Sequence, residues 1–170
     1  YLDQFLMYLE GEKNASHHTI KNYRIDLQEF FTCVDNVPVT NIQHVDIRKF
    51  LAHCTAQERA RATIARKLAC LRSFFKFLVR EGVLAANPAS SIRTPKRDRK
   101  LPHFLDIHET EQLLEAPQLA TTMGRRDKAI LETLYSSGLR VSELVGLNVE
   151  DLDAISGVLK VRGKGKKERM

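Results

Sequence analysis

The apolar residues of this chain fall into helical spacing from its first position. Tyr1, Leu2, Phe5, Leu6 and Leu9 line one side of a helix. Gly11 to Ala15 interrupts the pattern, and Ser16 follows as an N-cap for a second helix whose apolar face is Ile20, Tyr23, Leu27, Phe30 and Phe31. Pro38 lies in the next loop, and Val45 to His53, with Ile47, Phe50 and Leu51, predicts a third helix. The fourth, over Arg61 to Glu81, is the most regular: Ile64, Leu68, Leu71, Phe75 and Leu78 step by 4, 3, 4 and 3, and Gly82 ends it as a C′ residue.

Asn87-Pro88-Ala89 forms a turn, and the periodicity then lapses. Ile92 to Pro102 holds Pro95, Pro102 and the run Lys96-Arg97-Asp98-Arg99-Lys100, which predicts a basic linker on an extended path. Ile107 to Glu115 then predicts a short helix burying Leu113 and Leu114. Gly124 to Ser136 predicts another, with Ala129, Ile130, Leu134 and Tyr135 in an apolar stripe that makes Tyr135 a core residue. Gly138 breaks it, and Val141 to Leu147 begins a third. The period changes at Val158 to Arg162, a strand; Gly163-Lys164-Gly165-Lys166 is a glycine-rich turn, and Glu168-Arg169-Met170 starts a return strand. The fold class is therefore mainly α. A four-helix domain covers residues 1–92, a linker 93–103, and a truncated α+β domain beginning with helices and a β-hairpin covers 104–170.

Composition adds that the chain is globular, with 43% hydrophobic and 28% charged residues. No apolar run approaches the roughly 18 residues of a membrane span, and no basic segment precedes the first helix as a signal peptide requires. The chain starts without Met and stops within a strand pattern, so it reads as a piece of a longer protein. Cys33, Cys54 and Cys70 match no CxxC or zinc spacing, and each lies in an apolar helical context. We expect free thiols in a reducing cytoplasm, no metal and no membrane.

The charge is unevenly distributed. Residues 61–103 carry a net +9 and 159–170 a net +5, whereas 1–60 carry −2 and 104–158 carry −6. On the fourth helix Arg66, Ser73, Lys76 and Arg80 fall opposite the apolar stripe, with Arg72 flanking, and no acid lies between Thr63 and Arg80. A one-sign face of this kind points to a polyphosphate partner, a solubilising face being the alternative.

Two local patterns can carry chemistry. In Ser137-Gly138-Leu139-Arg140-Val141-Ser142-Glu143-Leu144, Arg140 stands at a helix start just after a glycine turn, where its guanidinium can hold an anion. Glu143, three residues on, can orient it, or the two form a structural ion pair. Lys164, in Gly163-Lys164-Gly165-Lys166, sits at a hairpin tip and can present an ammonium to a phosphate or a base edge, or simply be solvated. The string lacks the GxxxxGK[ST] spacing of an ATP-binding loop.

Taken in order, Thr19, Tyr23, Asp26-Leu27 and Phe30, then Leu71-Arg72-Ser73-Phe74-Phe75, Asn87-Pro88-Ala89, Gly-Leu-Arg-Val-Ser-Glu-Leu and Gly-Lys-Gly-Lys-Lys-Glu-Arg resemble the tyrosine recombinases. Among these the Xer-type chromosome-dimer resolvases are the most similar. The interval of 24 residues from Arg140 to Lys164 is part of the match. The resemblance implies a SAM-like core-binding domain followed by the start of a catalytic domain. It also implies site-specific DNA recombination, with roles in chromosome partition and cell division, by attack of a tyrosine on a phosphodiester to give a 3′-phosphotyrosine. No cofactor is implied.

Arg140 matches the first of the family's two arginines and would hold non-bridging oxygens. Lys164 matches the hairpin lysine, a general acid for the departing 5′ oxygen. The family's His-x-x-Arg, its further His or Trp and its nucleophilic tyrosine match nothing after Arg140, so the chain as given is expected to bind DNA without cleaving it. Charge geometry and the resemblance together name Lys21, Arg24, Arg66, Arg72, Ser73, Lys76, Lys96, Arg97, Arg99 and Lys100 as contacts to duplex DNA. The full-length protein is expected to act as a homo- or hetero-tetramer on paired sites. A mobile-element integrase of the same superfamily, a catalytically inactive DNA-binding regulator and a helical protein-interaction module remain as alternatives.

Overall fold

Residues 1–96, 102–162 and 168–169 are described by the computed structural model of the chain, which divides into two units, Tyr1–Lys100 and Leu101–Met170. The first unit contains α1 (Leu2–Gly11), α2 (His17–Cys33), α3 (His44–Ala56) and α4 (Arg61–Arg80). Local signals set these boundaries. Ser16 caps α2, its Oγ accepting from the Thr19 N–H at 3.3 Å. At the start of α3 the Asp46 carboxylate accepts from the Gln43 N–H at 3.0 Å.

Packing follows from the apolar stripes. α2 lies against α1 and α4, and α3 against α4. Phe5, Phe30, Phe50, Phe74 and Phe75 are all fully buried. Their rings meet edge-on, Phe30 with Phe50 at 5.3 Å and Phe5 with Phe74 at 5.4 Å between centroids. The stripe predicted on α4 is buried, but so are Ala65, Lys67, Cys70, Phe74 and Phe77, because α4 is enclosed on more than one side. Cys54 and Cys70 are buried free thiols, as their context predicts, and burial pushes both thiols up from their ordinary value.

The buried surface of α4 includes a charge. Lys67 is 2% exposed and Asp26, on α2, is 1% exposed. The Lys67 ammonium donates to Asp26 at 2.9 Å and to Glu29 at 2.7 Å, and Arg66 also donates to Asp26. Burial alone would lower the Lys67 pKa, but the hydrogen bonds and charges of Glu29 and Asp26 outweigh it and raise the pKa above its ordinary value. These contacts correct the picture of α4 as a one-sign face: opposite charges come from α2.

The second unit contains α5 (Ile107–Glu115), α6 (Thr122–Ser137), α7 (Val141–Val145), β1 (Leu152–Asp153), β2 (Val158–Leu159), β3 (Val161–Arg162) and β4 (Glu168–Arg169). Asp106 and Glu109 cap α5 reciprocally, each carboxylate accepting from the other's N–H at 2.8 and 2.9 Å. Thr121 caps α6, accepting from the Gly124 N–H at 2.9 Å. A Cβ at Gly124 would stand 1.9 Å from the Gln118 carbonyl oxygen, so only glycine lets the preceding loop close over this first turn.

The strand expected at 158–162 divides into β2 and β3. β2 pairs antiparallel with β1, Leu152 opposite Leu159, and β3 pairs antiparallel with β4, Val161 opposite Arg169. α7 ends at Val145, two residues short of the predicted Leu147. Tyr135, expected in the core, is 66% exposed, and Leu113, expected buried, is 47% exposed. Both stripes are present in the helices, but among the described residues of this unit only Gly124, Leu139 and Val161 are buried.

Replacing one partner of the buried pair leaves the other uncompensated. Lys67→Met is expected to lower the stability of the first unit by about 3–5 kcal/mol, read as a lower urea midpoint for the exchange of α4 amides. The raised pKa of Lys67 means that its contribution is complete below the ordinary lysine value of 10.5 and is lost as pH rises through the folded value. The wild-type chain should therefore lose stability above that pH by a step that the variant lacks.

Candidate functional site

Arg140 is placed by a sequence of local constraints. α6 ends at Gly138, whose φ of 61° is left-handed and whose N–H donates to the Leu134 carbonyl at 3.0 Å. Leu139, 8% exposed, anchors the next step of the chain and lines a cleft with Ser137, Val158, Leu159 and Val161. Arg140 follows as the N-cap of α7.

Glu143 then binds Arg140 twice. One carboxylate oxygen accepts from the Arg140 backbone N–H at 2.8 Å and the other from its guanidinium at 2.9 Å. The Glu143 side chain is 7% exposed and that of Arg140 69%. A sheltered carboxylate thus steers a solvent-facing guanidinium, whose further donors can meet an oxyanion. Lys164, the second residue expected to carry chemistry, lies in the sequence between β3 and β4, outside the described residues.

The cations expected to contact phosphate are held in different ways. Lys21 is exposed on α2, and Arg24, on the same helix, donates to Asp3 at 3.0 Å. Arg66 is tied to Asp26. Arg72 donates to the carbonyls of Ala89, at 3.3 Å, and Ile92, and to the Thr94 hydroxyl at 2.8 Å. Ser73 and Lys76 share a cleft of about 510 Å³ with Tyr8, Lys13, Phe77 and Arg80. Lys96 is exposed. Arg97, Arg99 and Lys100 lie outside the described residues.

Sequence reasoning missed the acidic partners. Arg80 donates to Glu12 at 2.9 and 3.1 Å, and its guanidinium lies 4.7 Å from the centre of the Tyr8 ring. That hydrogen-bonding holds the Glu12 carboxyl below its ordinary pKa. Asp26, set among Tyr23, Leu27 and Phe30 on α2, was the visible sign of a buried charge pair. Among the described residues no group of three or more His, Cys, Asp or Glu side chains is placed to hold a metal ion.

Two family models match the chain: the phage integrase N-terminal SAM-like domain over residues 2–82, and the phage integrase family over residues 103–170. The chain is 45% identical over 170 residues to the tyrosine recombinase XerC of Thermodesulfovibrio yellowstonii, covering 100% of this chain and 56% of that protein. It is 42% identical over 172 residues to the XerC of Oceanobacillus iheyensis, covering 99% of this chain and 56% of that protein. The chain therefore spans a little over half the length of these relatives. Among solved structures, a lambda integrase tetramer bound to a Holliday junction aligns with a TM-score of 0.77 at 19% identity, over 99% of this chain and 48% of that one. The Tn1549 transposon integrase in complex with circular intermediate DNA aligns with a TM-score of 0.69 at 19% identity, over 98% of this chain and 57% of that one.

Glu143→Ala removes both bonds to Arg140. It is expected to cost roughly 0.5–2 kcal/mol, the range for a lost helix cap, and to speed amide exchange at Arg140. Glu143→Gln keeps an acceptor for the backbone N–H and should restore most of that protection, as thermal unfolding and exchange of the three proteins will show.

Proposed function

Because this chain belongs to the phage integrase family, as a Xer-type tyrosine recombinase in sequence, we propose that it holds duplex DNA and contributes one phosphate-binding arginine to strand exchange at a specific site. The observation that carries this reading is Arg140. It stands in the Gly-Leu-Arg-Val-Ser-Glu-Leu string, exposed to solvent and steered by Glu143, in a chain that matches Xer-type relatives along its whole length.

In the full-length protein the Arg140 guanidinium grips non-bridging oxygens of the scissile phosphate and stabilises the charge that builds as a tyrosine attacks. The bond that breaks is between phosphorus and the 5′ oxygen, and the bond that forms is phosphorus to tyrosine oxygen. The phosphotyrosine conserves the energy of the phosphodiester for rejoining, so the chemistry draws on no ATP. Lys164 donates the proton that the departing 5′ oxygen takes up. The nucleophile and the His-x-x-Arg motif, which match nothing after Arg140 in this sequence, belong to the rest of the full-length protein.

Lys21, Arg24, Ser73, Lys76, Lys96, Arg97, Arg99 and Lys100 contact the DNA backbone from the first unit and the linker. The solved lambda integrase tetramer on a Holliday junction supports assembly of four copies on two paired sites. The XerC relatives support the recombinase reading; to it we add, as part of the proposal, a cytoplasmic role in chromosome partition and cell division and a homo- or hetero-tetramer as the working assembly.

For contacts to six to ten phosphates, log affinity against log salt should fall with a slope of about −5 to −9, measured by gel shift on duplex DNA. Binding no tighter than to a neutral control would sink the reading and favour a protein-interaction module. In the full-length protein, Arg140→Ala should slow formation of the covalent complex on a nicked site by roughly 10²–10³. Undiminished trapping would remove Arg140 from the reaction.

A further inference from the structure

The guanidinium of Arg72 is turned onto its own chain. Nε donates to the Ala89 carbonyl at 3.3 Å, one terminal nitrogen to the Thr94 hydroxyl at 2.8 Å and the other to the Ile92 carbonyl, so all three nitrogens are engaged. The bonding is reciprocal. Asn87 donates from its side-chain amide to the Arg72 carbonyl at 3.0 Å, and its Oδ1 accepts from the Ala89 N–H at 2.8 Å.

Beneath this clamp Ala89 and Ile92 are buried, 0% and 6% exposed, in the same core as α4. Beyond it Pro95 and Lys96 line a cleft with Arg61 and Ile64, at the first turn of α4. The segment from Asn87 onward is thus a strap that runs back along α4 from the level of Arg72 to that of Arg61, roughly 16 Å of helix at 1.5 Å per residue. Arg93 is exposed between the two anchored residues Ile92 and Thr94, and Lys96 is exposed just past the clamp.

We propose that Arg72 is a positioning residue: it pins this strap on α4 so that Arg93 and Lys96 are held as phosphate-binding cations, and it makes no phosphate contact itself. The proposal rests on the DNA-binding reading above. A cation on an anchored backbone binds a phosphate without first surrendering backbone freedom, whereas the same cation on a released strap loses affinity to that ordering. Arg93 and Lys96 therefore add two exposed cations that stand outside the α4 stripe.

Thr94→Val tests this without changing any charge, at an exposed position, by removing the outermost acceptor of the clamp. The whole chain is probed by trypsin without DNA, by gel shift over a salt series and by thermal unfolding. Thr94→Val is expected to speed cleavage after Arg93 about tenfold, as loss of one charged hydrogen bond implies. It should weaken duplex binding roughly 2- to 10-fold with the salt slope and the thermal midpoint unchanged. Thr94→Ser, which keeps the hydroxyl, should restore both. Arg93→Ala and Lys96→Ala should each flatten the salt slope by about 0.9, while Arg72→Ala weakens binding at unchanged slope.

A slope flattened by about 0.9 in Arg72→Ala would make Arg72 a phosphate ligand and overturn the proposal. So would wild-type cleavage and affinity in Thr94→Val, or an unchanged slope in Arg93→Ala. A lowered thermal midpoint with unchanged affinity in Thr94→Val would reduce the clamp to a structural brace. If the wild-type chain fails to bind duplex DNA, the functional reading falls and the phosphate role of Arg93 and Lys96 falls with it. Cleavage after Arg93 would then still decide whether Arg72 pins the strap.

Discussion

The first unit depends on the buried ion pair between Lys67 and Asp26, because two buried charges are satisfied in a single register. Apolar stripes are forgiving: a helix bearing Leu and Phe at three- and four-residue steps can slide by a turn and still bury most of its surface. A displaced Lys67 would instead be a buried ammonium without a carboxylate, at a cost of several kcal/mol. Holding α4 in register against α2 also fixes what α4 carries on its other sides. Ser73 and Lys76 take their places in the cleft beside α1, and Arg72 meets the strap at the height where its three acceptors lie.

The order and type of the elements could be read from periodicity, since α1 to α4 each carry an apolar face long enough to count. What escaped were features whose cause lies far away in the sequence. Lys67 looks like a surface residue until Asp26, 41 positions earlier, is seen beside it. Arg80 looks like part of a one-sign face until Glu12, 68 positions earlier, is seen on it. Charge alternation along a helix is a test of that helix alone, and here the neutralising charges stand on α2 and just past the end of α1. β1 is two residues long, too short for an alternation to register. Tyr135 and Leu113 were misplaced for a different reason: a stripe predicts a face that can be covered, not a partner that covers it.

The site divides along the same line. Arg140 and Glu143 are three residues apart, so their pairing, and the role of Gly138 in ending α6, could be argued from the string itself. Arg72 could not be understood that way. Its acceptors are mainly backbone carbonyls 17 and 20 residues downstream, and every residue carries a carbonyl, so no residue type announces the contact. Its position on the flank of a basic helix therefore suggested a phosphate ligand, while the geometry supplies it with acceptors from its own chain.

The uneven distribution of charge also orders events in time. Residues 1–100 carry a net +7 and residues 101–170 a net −1, so the two units respond differently to a distant polyanion. Electrostatic attraction accelerates encounter for the first and gives almost no help to the second. On the DNA-binding reading proposed above, long-range capture falls to the first unit and the second adds short-range contacts. Raising ionic strength would therefore slow the first step steeply and the second hardly at all, so that salt separates capture from the contacts that follow it.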